Sequence, residues 1–294
     1  MTPGYFLYHS IGQYPEKAAE ISGALSEYAE IWSAGDDSQW PRVLKRRAEF
    51  VDLWEGLIDA PKASLTTADN VTAALYSLIG ALPEGRLRGK RVLVTADCFP
   101  SLHFLLAGLA DRFGFTLDTV PLRQGETWVR DEDVLDRWDG DVGLALLTFV
   151  TSTASWRCDL KALTAHGHSV GSIVVHDLTQ GIGILPYSLP DFAPDAVVST
   201  SLKWLCGVSG AGILQVRPDL IDQMQPELRG WFSQPNPFAW DLAGFEYAAD
   251  VRRFDHGTPS VIASIGSLPG LRWHAAQDGA AMLGHNRALQ TQII

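Results

Sequence analysis

Apolar residues fall along this chain either at helical spacing or in short unbroken runs, and the alternation between the two sets the architecture. Residues 15 to 58 carry mostly helical spacing, interrupted at Gly35-Asp36-Asp37-Ser38 and at Pro41. A clear helix follows Thr66-Thr67-Ala68-Asp69, where Val71, Ala74, Leu75, Leu78, Ile79 and Leu82 fall on one face. Pro83 and Gly85 end it. A strand is predicted from Arg91 to Ala96, then a helix from Ser101 to Phe113 with Leu102, Leu105, Leu106 and Leu109 on one side. Gly143 to Val150 is apolar throughout and reads as a buried strand. A short helix from Leu160 to His166 and strands at 172–177, 196–201 and 212–216 complete the set.

Strands that are apolar at every position are covered on both faces. Alternating with helices, they predict an α/β fold of three layers, α/β/α, around a mostly parallel central sheet. In such sheets ligands bind beyond the carboxyl ends of the strands. Attention therefore falls on the residues that close each strand.

Composition narrows the classes. The 294 residues are 46% hydrophobic and 19% charged, which suits a folded core, and the net charge of −11 speaks against nucleic acid or an anionic membrane as partner. Cys98, Cys158 and Cys206 form neither a disulfide framework nor a metal-ligand pattern, so no metal is expected. Met1-Thr2-Pro3-Gly4-Tyr5 lacks the basic and apolar blocks of a secretory leader, and no apolar run is long enough to span a bilayer. A cytoplasmic location is the expectation. No glycine-rich phosphate loop follows an early strand, which argues against a nucleotide-binding enzyme.

Two strand ends carry distinctive chemistry. Asp177 closes Ser172-Ile173-Val174-Val175-His176-Asp177, and Lys203 lies just past the next strand in Ser199-Thr200-Ser201-Leu202-Lys203-Trp204-Leu205. A pyridoxal phosphate site needs such a pair: a lysine for the Schiff base and an acid that keeps the pyridine nitrogen protonated. Burial at a strand end raises a carboxylate's pKa unless a donor offsets it, and an apolar setting lowers that of a lysine. Each residue also has a plainer reading. Asp177 could cap the turn that follows it, and Lys203 could be a surface lysine lying along apolar neighbours. Thr66 and Thr67, before a helix, could hold a phosphate or merely cap that helix. Phe99, between strand and helix, could stack on a ring or fill the core.

The order of these pieces is more telling than any one of them. Leu7-Tyr8-His9-Ser10-Ile11-Gly12, Leu65-Thr66-Thr67-Ala68-Asp69-Asn70, Phe99-Pro100-Ser101, His176-Asp177-Leu178-Thr179-Gln180-Gly181, Ser201-Leu202-Lys203-Trp204-Leu205, Gly230-Trp231-Phe232 and Arg253-Phe254-Asp255-His256-Gly257-Thr258-Pro259 occur in sequence. In this the chain resembles the class V aminotransferase family of fold-type-I pyridoxal-phosphate enzymes, most closely its kynureninase-like members, from about residue 5 to about residue 265. The resemblance implies that Lys203 carries the cofactor and shuttles protons, Asp177 pairs with the ring nitrogen and Phe99 stacks on the ring. It implies that Thr66 and Thr67 hold the phosphate with Ser199 or Ser201, and that Gln180 joins the cofactor set. Trp231, Gly257 and Thr258 would reach the phosphate of a neighbouring subunit, so a homodimer with shared sites is expected.

The resemblance also implies a division of the chain. Residues 1–45 would contribute to a small domain and dimer contacts, 46–265 would form the cofactor-binding large domain, and 266–294 would begin a small C-terminal domain that is truncated or reduced. Only 35 residues follow Pro259, whereas family members continue into a domain that usually supplies an arginine for the substrate carboxylate. The substrate expected is a small amino acid, with kynureninase-like hydrolysis ranked first. Aminotransferase, cysteine desulfurase or C–S lyase chemistry, and a non-catalytic protein of the same fold, are the alternatives. Gln180 stands where kynureninases carry a histidine, Leu202 where they carry a tyrosine, and Thr151-Ser152-Thr153-Ala154-Ser155 where they carry Asn-Tyr-x-Thr-Gly.

Overall fold

A computed structural model describes residues 4–293; Met1–Pro3 and Ile294 lie outside the described residues. Two helices, α1 (Lys17–Trp32) and α2 (Gln39–Ile58), come first, and Pro41 is accommodated in the first turn of α2, where its missing N–H has no helical partner to lose. Next come β1 (Leu65–Ala68), α3 (Val71–Ile79), β2 (Arg91–Thr95), α4 (Pro100–Phe113), β3 (Thr116–Val120) and α5 (Asp131–Arg137). The second half runs β4 (Val142–Thr148), α6 (Leu160–Ser169), β5 (Ile173–Asp177), α7 (Leu189–Phe192), β6 (Ala196–Thr200), β7 (Gly212–Val216), α8 (Pro218–Ile221), α9 (Val261–Ala275) and α10 (Gly279–Ile293).

The seven strands form one sheet in the order β1-β7-β6-β5-β4-β2-β3. Strands β2 to β6 are parallel, while β7 runs antiparallel to β6 and β1 antiparallel to β7. Two reversals leave β1 pointing the same way as β6, so the carboxyl ends of β1, β2, β4, β5 and β6 all open on one edge. The chain crosses from β3 past β2 to begin β4 there. That is the topological switch point at which open α/β sheets form a crevice.

Period-two burial divides the sheet into two faces. Leu93, Ala145, Leu147, Val174, Val197 and Ile213 pack against Phe50, Trp54 and Ile58 of α2 and Leu268 and Leu271 of α9. Val92, Val94, Leu144, Leu146, Val175, Val198 and Leu214 pack against Leu75 and Leu78 of α3 and Leu102 and Leu106 of α4. This is the three-layer α/β/α arrangement expected. The boundary drawn at 265/266 falls inside α9, whose residues from Ala263 to Leu271 are buried throughout.

Candidate active site

Asp177 is the last residue of β5 and is 3% exposed. It faces the α3/α4 side of the sheet, since Val175 two residues earlier packs there. Its Oδ1 accepts the Thr179 amide at 3.0 Å. No lysine, arginine or histidine among the described residues forms an ion pair with it. Burial therefore pushes its pKa up, against the pull of the Thr179 hydrogen bonding and of the Lys203 charge. A buried carboxylate in that condition lacks a donor, which a protonated pyridine nitrogen would supply.

Lys203 lies in the loop between β6 and β7. Its Nζ sits 5.1 Å from the centroid of the Phe99 ring, and burial lowers its pKa while Asp177 pulls the other way. Phe99 follows β2 at the N-cap of α4 and is 43% exposed. That is unusual for a phenylalanine so near the sheet, and it leaves a face open for stacking. The three residues come from three chain segments and meet at the switch point.

The surroundings of Lys203 are built for close approach. Gly207 and Gly270 let α9 come against the loop: a Cβ at Gly270 would meet the Leu205 carbonyl at 2.4 Å, and one at Gly207 would meet Ser267 Oγ at 2.7 Å. Ser267 Oγ in turn accepts the Val208 amide at 3.0 Å. From the other side, residues 5–12 cross the loop. The Gly12 amide donates to the Lys203 carbonyl at 3.0 Å, Tyr8 stacks on Trp204 at 5.9 Å, and Gln180 Nε2 donates to the His9 carbonyl at 3.0 Å. Gln180, expected to touch the cofactor, thus has its amide engaged in holding this segment.

Of the residues expected to hold the phosphate, Thr66, Thr67 and Ser201 have other partners within the chain. Thr66 and Thr67 do not cap a helix; they lie in β1, and Arg47 occupies their hydroxyls, Nη2 at 2.8 Å from both Thr66 Oγ1 and Thr67 Oγ1. The helix they were expected to cap, α3, begins after Asn70, whose Oδ1 accepts the Ala73 amide at 2.9 Å. Ser199 and Ser201 lie on the wrong side of the sheet. Ser201 Oγ accepts from Trp54 Nε1 at 2.9 Å in the α2/α9 layer. Ser199 shares a face with Val197 of that layer, and its Oγ is buried with no partner.

The residue on the correct face is Thr200. It follows Val198 by two, and Val198 is the register partner of Asp177. One strand across and two residues along place Thr200 about 8 Å from Asp177, from strand spacings of about 4.8 Å and 3.3 Å per residue. That matches the span of a pyridine ring with its phosphate arm. Thr200 pairs with Gly212 and Gly212 with Ala68, which leads to the N-terminus of α3, with the free amides of its first turn. Thr148, the β4 partner of Asp177 on the same face, contributes a buried Oγ1 with no hydrogen-bond partner. An orphaned hydroxyl, an unpaired carboxylate, an open aromatic face and an anion-friendly helix start lie along one edge. Pyridoxal phosphate fits these residues.

Trp231 sits in an aromatic cluster, 5.4 Å from Trp40 and 5.7 Å from Trp240. Gly230 packs so tightly on the His256 carbonyl that a Cβ would lie 2.4 Å from it. The Gly230-Trp231 and Gly257-Thr258 motifs are therefore one structural unit. Gly257 and Thr258 line a hollow of 110 Å³ together with Thr67, Asp69 and Gly210.

The fold and this site describe a pyridoxal-phosphate enzyme of the fold-type-I kind. The aminotransferase class-V family profile matches residues 56–294, and the chain belongs to that family. Among curated relatives, the kynureninase of Deinococcus radiodurans is 28% identical over 279 residues, covering 89% of this chain and 63% of that protein. The kynureninase of Pseudomonas fluorescens is 27% identical over 300 residues, covering 97% and 68%. The chain thus spans about two thirds of the length of these relatives. Among solved structures, a mutant of C-DES with glycine covalently linked to its PLP cofactor superposes with a TM-score of 0.82 at 20% identity, over 94% of this chain and 72% of that one. The cysteine desulfurase CsdA of Escherichia coli gives 0.79 at 19% identity, over 92% and 68%. At such identities these structures speak to the fold alone. No helix among the described residues is long and apolar enough to cross a membrane.

Proposed function

We propose that this protein uses pyridoxal phosphate held at Lys203 to act on a small amino acid, with kynureninase-like hydrolysis of a Cβ–Cγ bond as the reaction. The observation that carries the reading is the convergence of Lys203, Phe99 and Asp177 at the switch point, with Asp177 buried and unpaired. The bound cofactor supplies an electron sink for a carbanion at the substrate Cα. The residues do the rest. Asp177 keeps the ring nitrogen protonated by accepting its hydrogen bond. Phe99 covers one ring face. The Lys203 amine, biased towards its neutral form by burial, takes the Cα proton and returns one later. Thr200 and the first turn of α3 hold the phosphate.

The kynureninase relatives favour hydrolysis over transamination, and the proposed active unit is a homodimer in which Gly257-Thr258 and Trp231 complete the neighbouring site. Desulfurase chemistry needs a thiolate nucleophile. Burial pushes Cys98 up to about 12 and Cys206 up to about 11, and it raises Cys158 as well, so none of these three is poised as that thiolate.

Reconstitution tests the reading. The protein mixed with pyridoxal phosphate should turn yellow, lose the colour on borohydride reduction, and show no band in Lys203→Ala. A wild-type protein that stays colourless would end the cofactor assignment. Turnover is then assayed with kynurenine, 3-hydroxykynurenine, and alanine plus a keto acid. Release of anthranilate from kynurenine supports hydrolysis, whereas keto-acid-dependent turnover alone reassigns the enzyme as an aminotransferase.

A further inference from the structure

Arg47 stands outside every motif of the sequence, yet it makes one of the most elaborate buried polar contacts in the molecule. It projects from α2. Its Nε donates to Thr67 Oγ1 at 3.0 Å, and its Nη2 donates to Thr66 Oγ1 and Thr67 Oγ1, each at 2.8 Å, and to Asp255 Oδ1 at 2.7 Å. Thr66 Oγ1 adds its own donation to Asp255 Oδ1 at 2.5 Å. The Arg47 side chain is 12% exposed and that of Asp255 is 4% exposed. One guanidinium therefore ties three elements at once: α2, β1 and the turn that begins at Asp255.

The turn beyond Asp255 gives the arrangement its meaning. Gly257 and Thr258 come two and three residues later and line the 110 Å³ hollow beside Asp69 at the entrance to α3. Glycine at 257 leaves that turn without a side chain to pack, and a Cβ there would meet nothing within 4 Å. The turn must therefore be fixed from its flanks. On one flank, Ser233 Oγ donates to the Asp255 carbonyl, and Phe232 N–H donates to the His256 carbonyl at 3.2 Å. On the other flank stands Arg47. Asp255 also lines a second, larger hollow of 400 Å³ together with Arg47 and Thr66.

We propose that Arg47 is a positioning residue that, through Asp255, Thr66 and Thr67, holds the Gly257–Thr258 turn in register with the start of α3. The turn is thereby kept ready to donate to the cofactor phosphate of the neighbouring subunit in the proposed homodimer. The proposal rests on that reading of Gly257-Thr258, and it assigns no contact between Arg47 and the cofactor. Thr66 Oγ1, Thr67 Oγ1 and Asp255 Oδ1 gather at the Nη2 end of the guanidinium, and Nε gives Thr67 Oγ1 a second donor; a lysine keeps the charge but not this planar edge.

The test uses the full chain with two readouts. The first needs no cofactor: amide hydrogen exchange in wild type, Arg47→Lys and Arg47→Met. Exchange at Phe232 and Asp255, whose amides donate to the His256 and Arg252 carbonyls on either side of the turn, should quicken about tenfold or more in Arg47→Met, once the turn loses its hydrogen bonds to a charged group. Arg47→Lys should fall between, and the amides of β4 should exchange as in wild type. The second readout is affinity for pyridoxal phosphate, followed by quenching of tryptophan fluorescence. Arg47→Met and Thr258→Ala should each weaken binding about tenfold, and the double variant little further, because the two act through one turn. Failure of wild type to bind would defeat the cofactor reading but leave the exchange result standing as the test of the clamp. Unchanged exchange at Phe232 and Asp255 overturns the proposal, as does full additivity of the two substitutions. If Arg47→Met does not fold, Arg47→Lys decides by the same two criteria.

Discussion

Asp177→Asn should stabilise the protein without cofactor and cripple it with cofactor. The carboxylate is buried, takes one amide hydrogen bond from Thr179, and has no ion-pair partner within reach. A buried polar group short of partners costs about 1–3 kcal/mol. The neutral amide removes the charge at nearly constant shape, and its N–H can donate to Thr148 Oγ1, which lies across the β4/β5 pair without a partner. Against this stands the attraction to Lys203 that the variant loses. A net gain of about 1 kcal/mol remains, which for a chain of this size raises Tm by about 2–4 °C. The sign also depends on pH. Because burial raises the folded-state pKa of Asp177, folded protein holds the proton more tightly than unfolded chain. Wild type therefore gains stability relative to Asp177→Asn as pH falls through the folded pKa towards the unfolded value of about 3.9. The advantage of the variant should be full near neutrality and shrink in acid. With cofactor, loss of a charge-assisted hydrogen bond worth about 1.5–3 kcal/mol should weaken binding about tenfold to a hundredfold. The assays are thermal melts of both apoproteins from pH 4 to 8 and a pyridoxal phosphate titration. A variant that melts below wild type at pH 7, or that binds cofactor equally well, would refute the reasoning.

Two other substitutions separate the faces of the sheet. Thr200→Ala should weaken cofactor binding about tenfold, the value of one hydrogen bond to a charged group, while Ser199→Ala, which removes a buried hydroxyl with no partner, should leave affinity unchanged and stability equal or slightly higher; a cofactor titration and a melt decide both. Gly12→Ala would place a Cβ 2.2 Å from the Lys203 carbonyl and 2.7 Å from Cys206 Sγ. It should cost about 1–3 kcal/mol through overpacking or release of the segment, read as a lower Tm and as proteolysis ahead of α1.

The strand ends are legible in the sequence because two chemical facts coincide at each. Asp177 and Lys203 are charged residues embedded in apolar runs, and an apolar run that stops at a charge marks a buried strand meeting a crevice. Thr66 and Thr67 mislead because β1 is only four residues long and two of them are threonine, which suits a strand edge as well as a helix cap. Arg47, which claims both hydroxyls, lies about 20 residues away with nothing in the sequence to connect them. Ser199 and Ser201 mislead for a different reason. Their parity relative to Asp177 is set by the β5/β6 register, and a register shift of one residue exchanges the faces. Ala196-Val197-Val198-Ser199-Thr200 shows no alternation in the sequence, so which of its residues look towards Asp177 is not legible there. The sheet's outer edge, β3 with α5, escapes the sequence pattern because Thr116–Val120 mixes polar with apolar residues and α5 is barely two turns long.

The hydrogen bond from Gly12 to the Lys203 carbonyl joins residues about 190 apart in the chain. At translation rates of roughly 5–20 residues per second, the segment from Tyr5 to Gly12 leaves the ribosome about 10–40 s before its docking site exists. During that interval Tyr8 lacks the Trp204 ring on which it stacks. The earliest-made part of the pocket wall is thus among the last to settle, since Gly12 finds its acceptor only after β6 and its loop emerge.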